Sequence, residues 1–144
     1  MMPTLRRLTI NDHAAILALW QRAGLHSIRS EGRDSRSEFE KQFAGGQIAI
    51  GLDEDGRLMG VVIVTNDTRK GWINRLAIDP DYRRRGYGEQ LVHASEDVLH
   101  EAGIHLIAAF IEEGNVASLT LFEKLGYATH QHLYYVSKRD SAET

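Results

Sequence analysis

The residues of this chain best suited to chemistry lie in one run, Leu76-Ala77-Ile78-Asp79-Pro80-Asp81-Tyr82-Arg83-Arg84-Arg85-Gly86-Tyr87-Gly88. A strand-like stretch feeds a turn with three arginines and two glycines, and a helical pattern follows. Glycine lets a ligand come close to the backbone. The first N–H groups of a helix have no partner within it and sit at the positive end of its dipole. Such a turn suits phosphate or pyrophosphate. The plain alternative is an ordinary strand-to-helix turn with a solvated charge run. Two familiar phosphate loops do not fit. The dinucleotide fingerprint needs a third glycine where Leu91 stands, and its unit opens with the first strand of the fold. The P-loop needs Gly-Lys-Ser/Thr, which is missing.

Charge patterning points the same way. Residues 69–88 hold six basic and two acidic groups, whereas residues 89–126 hold one basic and seven acidic, in a chain of net charge −3. Positive charge concentrated in one short segment of a mildly acidic protein reads as a local anion site. It disfavours nucleic-acid binding as the main task. With no cysteine in the chain, disulfides, thiol catalysis and cysteine metal sites are excluded. His130 and His132 share one strand face, and His93 and His100 lie two helical turns apart. Neither pair matches a metal motif, so no metal is expected. The longest apolar run, Leu106 to Ile111, is far short of the roughly 18 residues of a membrane span. Met1-Met2-Pro3-Thr4-Leu5-Arg6-Arg7 has no apolar stretch after its charges, so neither a secretory leader nor a membrane is expected. The expected setting is cytoplasmic.

The elements that must position this turn can be read from periodicity. A length of 144 residues predicts one domain, over residues 1–140, with a frayed tail at 141–144. Leu8 and Ile10 alternate as in a short first strand, and Asn11 can cap the next helix. Ile16, Leu19, Trp20 and Ala23 form one helical face, which Gly24 ends. Residues 25–34 are polar and irregular. Ser35 and Glu38 read as a capping box opening a short helix through Phe39 and Phe43. Ile48, Ile50 and Leu52 form a strand. A turn at Asp53 to Gly56 joins it to a second strand, Leu58 to Val64, as a hairpin. Trp72 to Ile78 is another strand, ended by Asp79-Pro80. A long helix runs from Gly86 to Ala102, followed by a buried strand from Ile104 to Ile111. Asn115 caps a helix carrying Leu119, Phe122 and Leu125. A last strand or strand pair spans Tyr127 to Val136. The predicted class is α+β, a mixed sheet flanked by helices, with one right-handed parallel strand-helix-strand unit.

The sequence resembles the GNAT family of N-acetyltransferases. Arg83-Arg84-Arg85-Gly86-Tyr87-Gly88 matches that family's Arg/Gln-x-x-Gly-x-Gly/Ala pyrophosphate loop. Leu76 to Arg83 matches its preceding strand and turn. Asn115-Val116-Ala117-Ser118-Leu119-Thr120-Leu121-Phe122-Glu123-Lys124-Leu125-Gly126-Tyr127 matches its second block. The element order agrees over nearly the whole chain. The resemblance implies a mostly antiparallel sheet splayed between two parallel strands, with about four helices. It implies acetyl-CoA or a related acyl-CoA as donor and an amine of a small molecule or peptide as acceptor, joined by direct attack. Leu76 and Ile78 would offer backbone hydrogen bonds to the pantetheine arm. The N–H groups from Arg84 through Arg85, Gly86 and Tyr87 to Gly88 would hold the pyrophosphate, aided by the charges of Arg83 and Arg84. Asn115 would meet the cofactor beyond the parting strands. A backbone N–H near Ile78 would polarise the thioester carbonyl.

The match departs from the family at two places. Many relatives carry a Tyr where Phe122 stands, to protonate the leaving thiolate. Branches acting on protein N-termini often carry a Glu where Phe110 stands, as the base. Three substitutes are expected candidates. Glu112 shares a strand face with Phe110, Tyr134 lies on the last strand with Tyr135 on the opposite face, and Asn74 could orient a water. Their plain readings are an exposed carboxylate, core packing and a satisfied strand amide. The connection holding His26, Ser27, Arg29, Glu31, Arg33 and Asp34 could recognise a polar or zwitterionic acceptor, or be a solvated loop. A CoA-binding regulatory module with little turnover is the alternative reading. A monomer and a homodimer both fit the sequence.

Overall fold

The computed structural model describes residues 3–142 and 144. Met1, Met2 and Glu143 lie outside the described residues, and with them part of the leader and tail expectations. The strands are β1 (Thr4–Arg7), β2 (Ile48–Glu54), β3 (Arg57–Asn66), β4 (Gly71–Ile78) and β5 (Ile107–Ala108). The helices are α1 (His13–Arg22), α2 (Arg36–Ala44), α3 (Tyr87–Glu101) and α4 (Val116–Lys124). The five strands form one sheet in chain order. β1 to β4 pair antiparallel, and β5 joins β4 in parallel. This is the expected α+β arrangement, a mostly antiparallel sheet flanked by four helices.

β3 explains the layering. Its residues Leu58 to Val64 are all buried, because a central strand with helices on both sides has no solvent face. Val61 and Ile63 pack with Ile16, Leu19, Trp20 and Phe39 of α1 and α2. Val62 and Val64 pack on the other face with Leu91, Val92, Leu99 and Phe122 of α3 and α4. Each such side chain contributes roughly 1.5–3 kcal/mol when fully buried. Asp55 and Gly56 close the β2–β3 hairpin, both at positive φ (52° and 77°), as a two-residue turn matched to strand twist requires.

Four sequence expectations are corrected. Ile10 opens a 3-10 turn, Ile10–Asp12, instead of continuing β1. Thr9, not Asn11, is its cap, in a reciprocal capping box with Asp12. Of the strand expected over 104–111, only Ile107–Ala108 pairs, and Leu106 and Phe110 are exposed. Among the described residues no strand forms between Tyr127 and Val136. With β5 reduced to two residues, the sheet offers that segment no paired edge to extend.

Candidate active site

The turn after β4 is built around one buried carboxylate. Asp79 is 1% exposed. It accepts from the Asp81 N–H (3.0 Å), Arg22 Nε (3.1 Å) and an Arg57 terminal nitrogen (2.8 Å). Burial alone would push its carboxyl up. The Asp81 N–H, Arg57 and Arg22 outweigh that and hold it below the ordinary range. A short 3-10 turn, Pro80–Tyr82, follows. Arg85 then lies over the Tyr82 ring at 5.0 Å, and Arg57 over the same ring at 5.7 Å. Arg83, Arg84 and Arg85 are all exposed.

Gly86 starts α3 in the left-handed region, φ 78°, and no side chain caps this helix. A Cβ built on Gly86 would meet no atom within 4 Å. The space over the turn is therefore open, and the first-turn N–H groups beside Tyr87 and Gly88 face it without a competing side-chain acceptor. Gly88 has a different function. A Cβ there would come 3.0 Å from Leu121, so its lack of a side chain lets α3 approach α4. This arrangement fits a pyrophosphate, with positive dipole, free donors and three arginines together.

β4 and β5 part immediately after they meet. Their register covers only Gly71 with Ile107 and Trp72 with Ala108. Beyond that, β4 runs on to Ile78 without a partner on this side, the splay expected for the fold. β4 also bulges there, for its register with β3 slips between Val61 and Ile63 and Arg75 adopts φ 50°. A bulge leaves a residue out of the ladder and re-aims its side chain.

Two cavities flank the parting. The smaller, about 380 Å³, is lined by Leu76 of β4, Asn115, Ser118 and Phe122 around α4, and residues 23–27 after α1. The larger, about 680 Å³, is lined by Trp20, Phe39, Asn74, Arg33, Asp34, Tyr135 and Arg139. Ser27, Arg75, Phe110, Ile111 and Glu112 line both. The two spaces thus share one wall, where a group held in one can meet a group held in the other.

The sequence candidates fall into two sets. Glu112 stands on the shared wall and is exposed. Asn74 lines the larger cavity while its amide donates to Thr65 Oγ1 at 3.2 Å. Leu76 and Asn115 line the smaller cavity, and Asn115 also caps α4 by accepting from the Ser118 N–H at 3.2 Å. Ile78 lines neither. Tyr134 is 96% exposed and also lines neither. Its neighbour Tyr135 lines the larger cavity, with its ring 5.3 Å from that of Phe110. Phe122 is buried in the smaller cavity's wall, edge-on to Tyr127 at 5.0 Å. The Tyr127 hydroxyl donates to Glu96 at 2.6 Å. Burial, with the Glu96 carboxylate beside it, raises its pKa.

Arg75 and Asp34 are the pair sequence reasoning missed. Asp34 is 2% exposed and receives Arg75 at 2.5 and 3.2 Å and the Arg29 N–H at 2.8 Å. Arg75 also lies over the Trp20 ring at 4.7 Å and reaches the Ser27 carbonyl at 3.3 Å. It thereby ties the loop after α1 to the bulge. The one available signal was an arginine within an otherwise mostly apolar strand.

Among the described residues no group of three or more metal-ligating side chains occurs, and no helix is long and apolar enough to cross a membrane. The chain is 36% identical over 90 residues to N-alpha-acetyltransferase 30 of Schizosaccharomyces pombe, a match spanning 59% of each chain. It is 29% identical over 102 residues to the ribosomal protein bS18-alanine N-acetyltransferase of Escherichia coli, over 67% of this chain and 69% of that one. The PaiA N-acetyltransferase of Thermoplasma acidophilum, solved in complex with coenzyme A, has the same fold. It superposes with a TM-score of 0.78 at 18% identity, over 90% of this chain and 92% of that one. Residues 13–127 match the acetyltransferase (GNAT) family. That span runs from the start of α1 through the arginine-glycine turn to the end of the α4 block, and the chain belongs to this family.

Proposed function

We propose that this chain transfers an acetyl group from acetyl-CoA to a primary amine of a small molecule or protein, within one ternary complex. One observation carries the reading. Two cavities meet at a common wall beside an unpaired strand edge, and an uncapped helix start with a glycine cradle lies at the end of that strand. Acetyl-CoA supplies a thioester carbonyl; the amine forms the new C–N bond, the C–S bond breaks, and the CoA thiolate leaves.

The chain's own groups have separable tasks. Backbone N–H groups from Arg84 to Gly88 hold the pyrophosphate, and Arg83, Arg84 and Arg85 add charge. The open edge of β4 at Leu76 and Ile78 offers hydrogen bonds to the pantetheine arm, and Asn115 closes the far side. The N–H that polarises the carbonyl is assigned to the Arg75–Leu76 bulge. Leu76 lines the smaller cavity and Ile78 does not, so the bulge replaces the neighbourhood of Ile78 in this role. Glu112, on the shared wall, takes the amine's proton directly or through a water held by Asn74. Holding amine and thioester in contact is the larger part of the rate enhancement. Tyr134 has no part in this scheme. The protein works in the cytoplasm, as a monomer or homodimer.

A second reading, a CoA-binding module with little turnover, is favoured by Phe122. It stands in the smaller cavity's wall where a phenol would protonate the thiolate, and the nearby Tyr127 hydroxyl is engaged with Glu96. A thiol's pKa near 8.5 makes it a fair leaving group without help, which favours the enzyme. Thiol release from acetyl-CoA over a panel of amines tests the choice. Amine-dependent release supports the transferase. Acetyl-CoA binding without release on any amine supports the module.

A further inference from the structure

Among the described residues, four other than glycine hold a left-handed backbone: Asp55, Thr68, Arg75 and Arg84. Asp55, Thr68 and Arg84 lie in connections between elements, whereas Arg75, at φ 50°, lies within a strand. The pairing of β4 with β3 shows how. Ile63 faces Asn74 and Val61 faces Ala77, so Val62 alone stands opposite Arg75 and Leu76. Two residues against one make a β-bulge, which leaves the extra residue out of the ladder. An arginine rarely adopts this conformation unaided, so its surroundings must hold it there.

The Arg75 side chain is held on three sides. Its two terminal nitrogens donate to the two oxygens of Asp34 at 2.5 and 3.2 Å. One of them also donates to the Ser27 carbonyl at 3.3 Å, and the guanidinium lies 4.7 Å over the Trp20 ring. A bidentate pair fixes direction as well as distance. Asp34 is itself immobilised. Its carboxylate receives the Arg29 N–H at 2.8 Å, and its backbone carbonyl lies 2.9 Å from Nε2 of His13, at the start of α1. The β3–β4 ladder holds the strand on both sides of the bulge; the clamp on Asp34 holds the bulge itself.

We propose that Arg75 is a positioning residue for acetyl transfer: closed on Asp34, it keeps the bulge left-handed, and so keeps the bulge N–H aimed at the thioester carbonyl instead of into the β3 ladder. The proposal rests on the assignment of that N–H under the transferase reading. The guanidinium acts through the backbone and not on the reacting atoms. Because Asp34 lines the larger cavity, the same clamp fixes the acceptor wall relative to the donor carbonyl.

A carbonyl that receives a hydrogen bond is polarised, and its stretching frequency falls. Infrared difference spectra of acetyl-CoA labelled with carbon-13 at the thioester carbonyl read this on the bound ligand, with no acceptor present. The intact wild-type chain should lower the stretch relative to free acetyl-CoA. Arg75→Val removes the clamp and favours regular strand geometry, so the bound stretch should return to that of the free thioester. Asp34→Asn should lose the lowering in the same way. Arg75→Asn also removes the clamp, but asparagine accepts the left-handed region more readily than most side chains do, so it should keep about half of the lowering or more. Simple loss of folding would affect both Arg75 variants alike. All three variants should bind CoA within about threefold of wild type, because the pyrophosphate turn lies at the far end of the strand. In thiol-release assays with the most reactive amine, kcat of Arg75→Val should fall about 10²-fold at unchanged KM for acetyl-CoA. A lowering that survives in Arg75→Val or Asp34→Asn overturns the proposal. So does a lowering lost equally in Arg75→Val and Arg75→Asn, or one absent from a wild type that binds acetyl-CoA. A wild type that does not bind acetyl-CoA fails the transferase reading itself and takes this proposal with it.

Discussion

Glu112 and Asp34 are the two carboxylates of the larger cavity, and their surroundings give them different work. Asp34 is buried and held by Arg75. Glu112 is exposed, with no side-chain hydrogen bond or ion pair among the described residues, so it is free to accept a proton. Glu112→Gln should lower kcat by about 10²-fold or more, the usual range for a lost general base, and leave the acetyl-CoA dissociation constant within about twofold. An unchanged kcat measured at saturating acceptor would remove Glu112 from the mechanism. Asp34→Ala leaves the Arg75 charge in a largely enclosed position without its partner. Removing one member of a buried pair costs about 3–5 kcal/mol, and Arg75 is 22% exposed, so a loss near the lower figure is expected in urea melts. A loss below about 1 kcal/mol would mean that the pair does not hold the loop to the bulge. Glu112 was a candidate from the chain alone, but the pairing of Asp34 with Arg75 was not legible there. Asp34 and Arg75 lie 41 positions apart, and only the folded loop shows that Asp34 points inward while Glu112 stays in solvent.

At the scale of elements, the arginine-glycine turn depends on its position between β4 and α3. Gly86→Ala puts a side chain at φ 78°, at a cost of about 1 kcal/mol. Gly86→Glu also sets a carboxylate in the anion cradle and should abolish the thermal shift given by CoA without unfolding the protein. Asp79 makes the turn sensitive to acid. Its folded pKa lies below the ordinary value of 3.8, so the folded state releases this proton more readily than the unfolded chain does. The resulting stability is fully present well above pH 3.8 and is lost as the pH falls through the folded value. Stability of the wild type against pH should therefore decline more steeply below about pH 4 than that of Asp79→Asn; parallel curves would count against Asp79 as the anchor.

The same scale shows what the sequence could carry. Ser35, Asn115, Asp55-Gly56 and the Arg83–Gly88 turn were legible because their structure is fixed by neighbours a few residues away. β5 and the segment after Gly126 were not, because strand length depends on a partner. The apolar run Leu106 to Ile111 has the composition of a buried strand, yet the sheet pairs only Ile107 and Ala108 before it parts. The bulge at Arg75 likewise arises from register between β3 and β4, which periodicity along one strand does not record.

At the scale of the whole molecule, the architecture brings three things together that are remote in sequence. The loop after α1 closes one side, the open edge of β4 forms the floor, and the segment from β5 into α4 closes the other. The hydrophobic clusters on either sheet face pack the helices against the sheet around it. A ligand spanning the smaller cavity and the uncapped start of α3 bridges all three layers, so its binding should raise the stability of the entire domain. Thermal unfolding with acetyl-CoA tests this central claim most directly, with a random DNA duplex at matched salt as the control. At ligand about 100 times its dissociation constant, the domain should gain about 2.7 kcal/mol of apparent stability, seen as an upward shift of the whole transition, with no shift from DNA. No shift with acetyl-CoA or CoA, or a shift with DNA alone, would contradict the account.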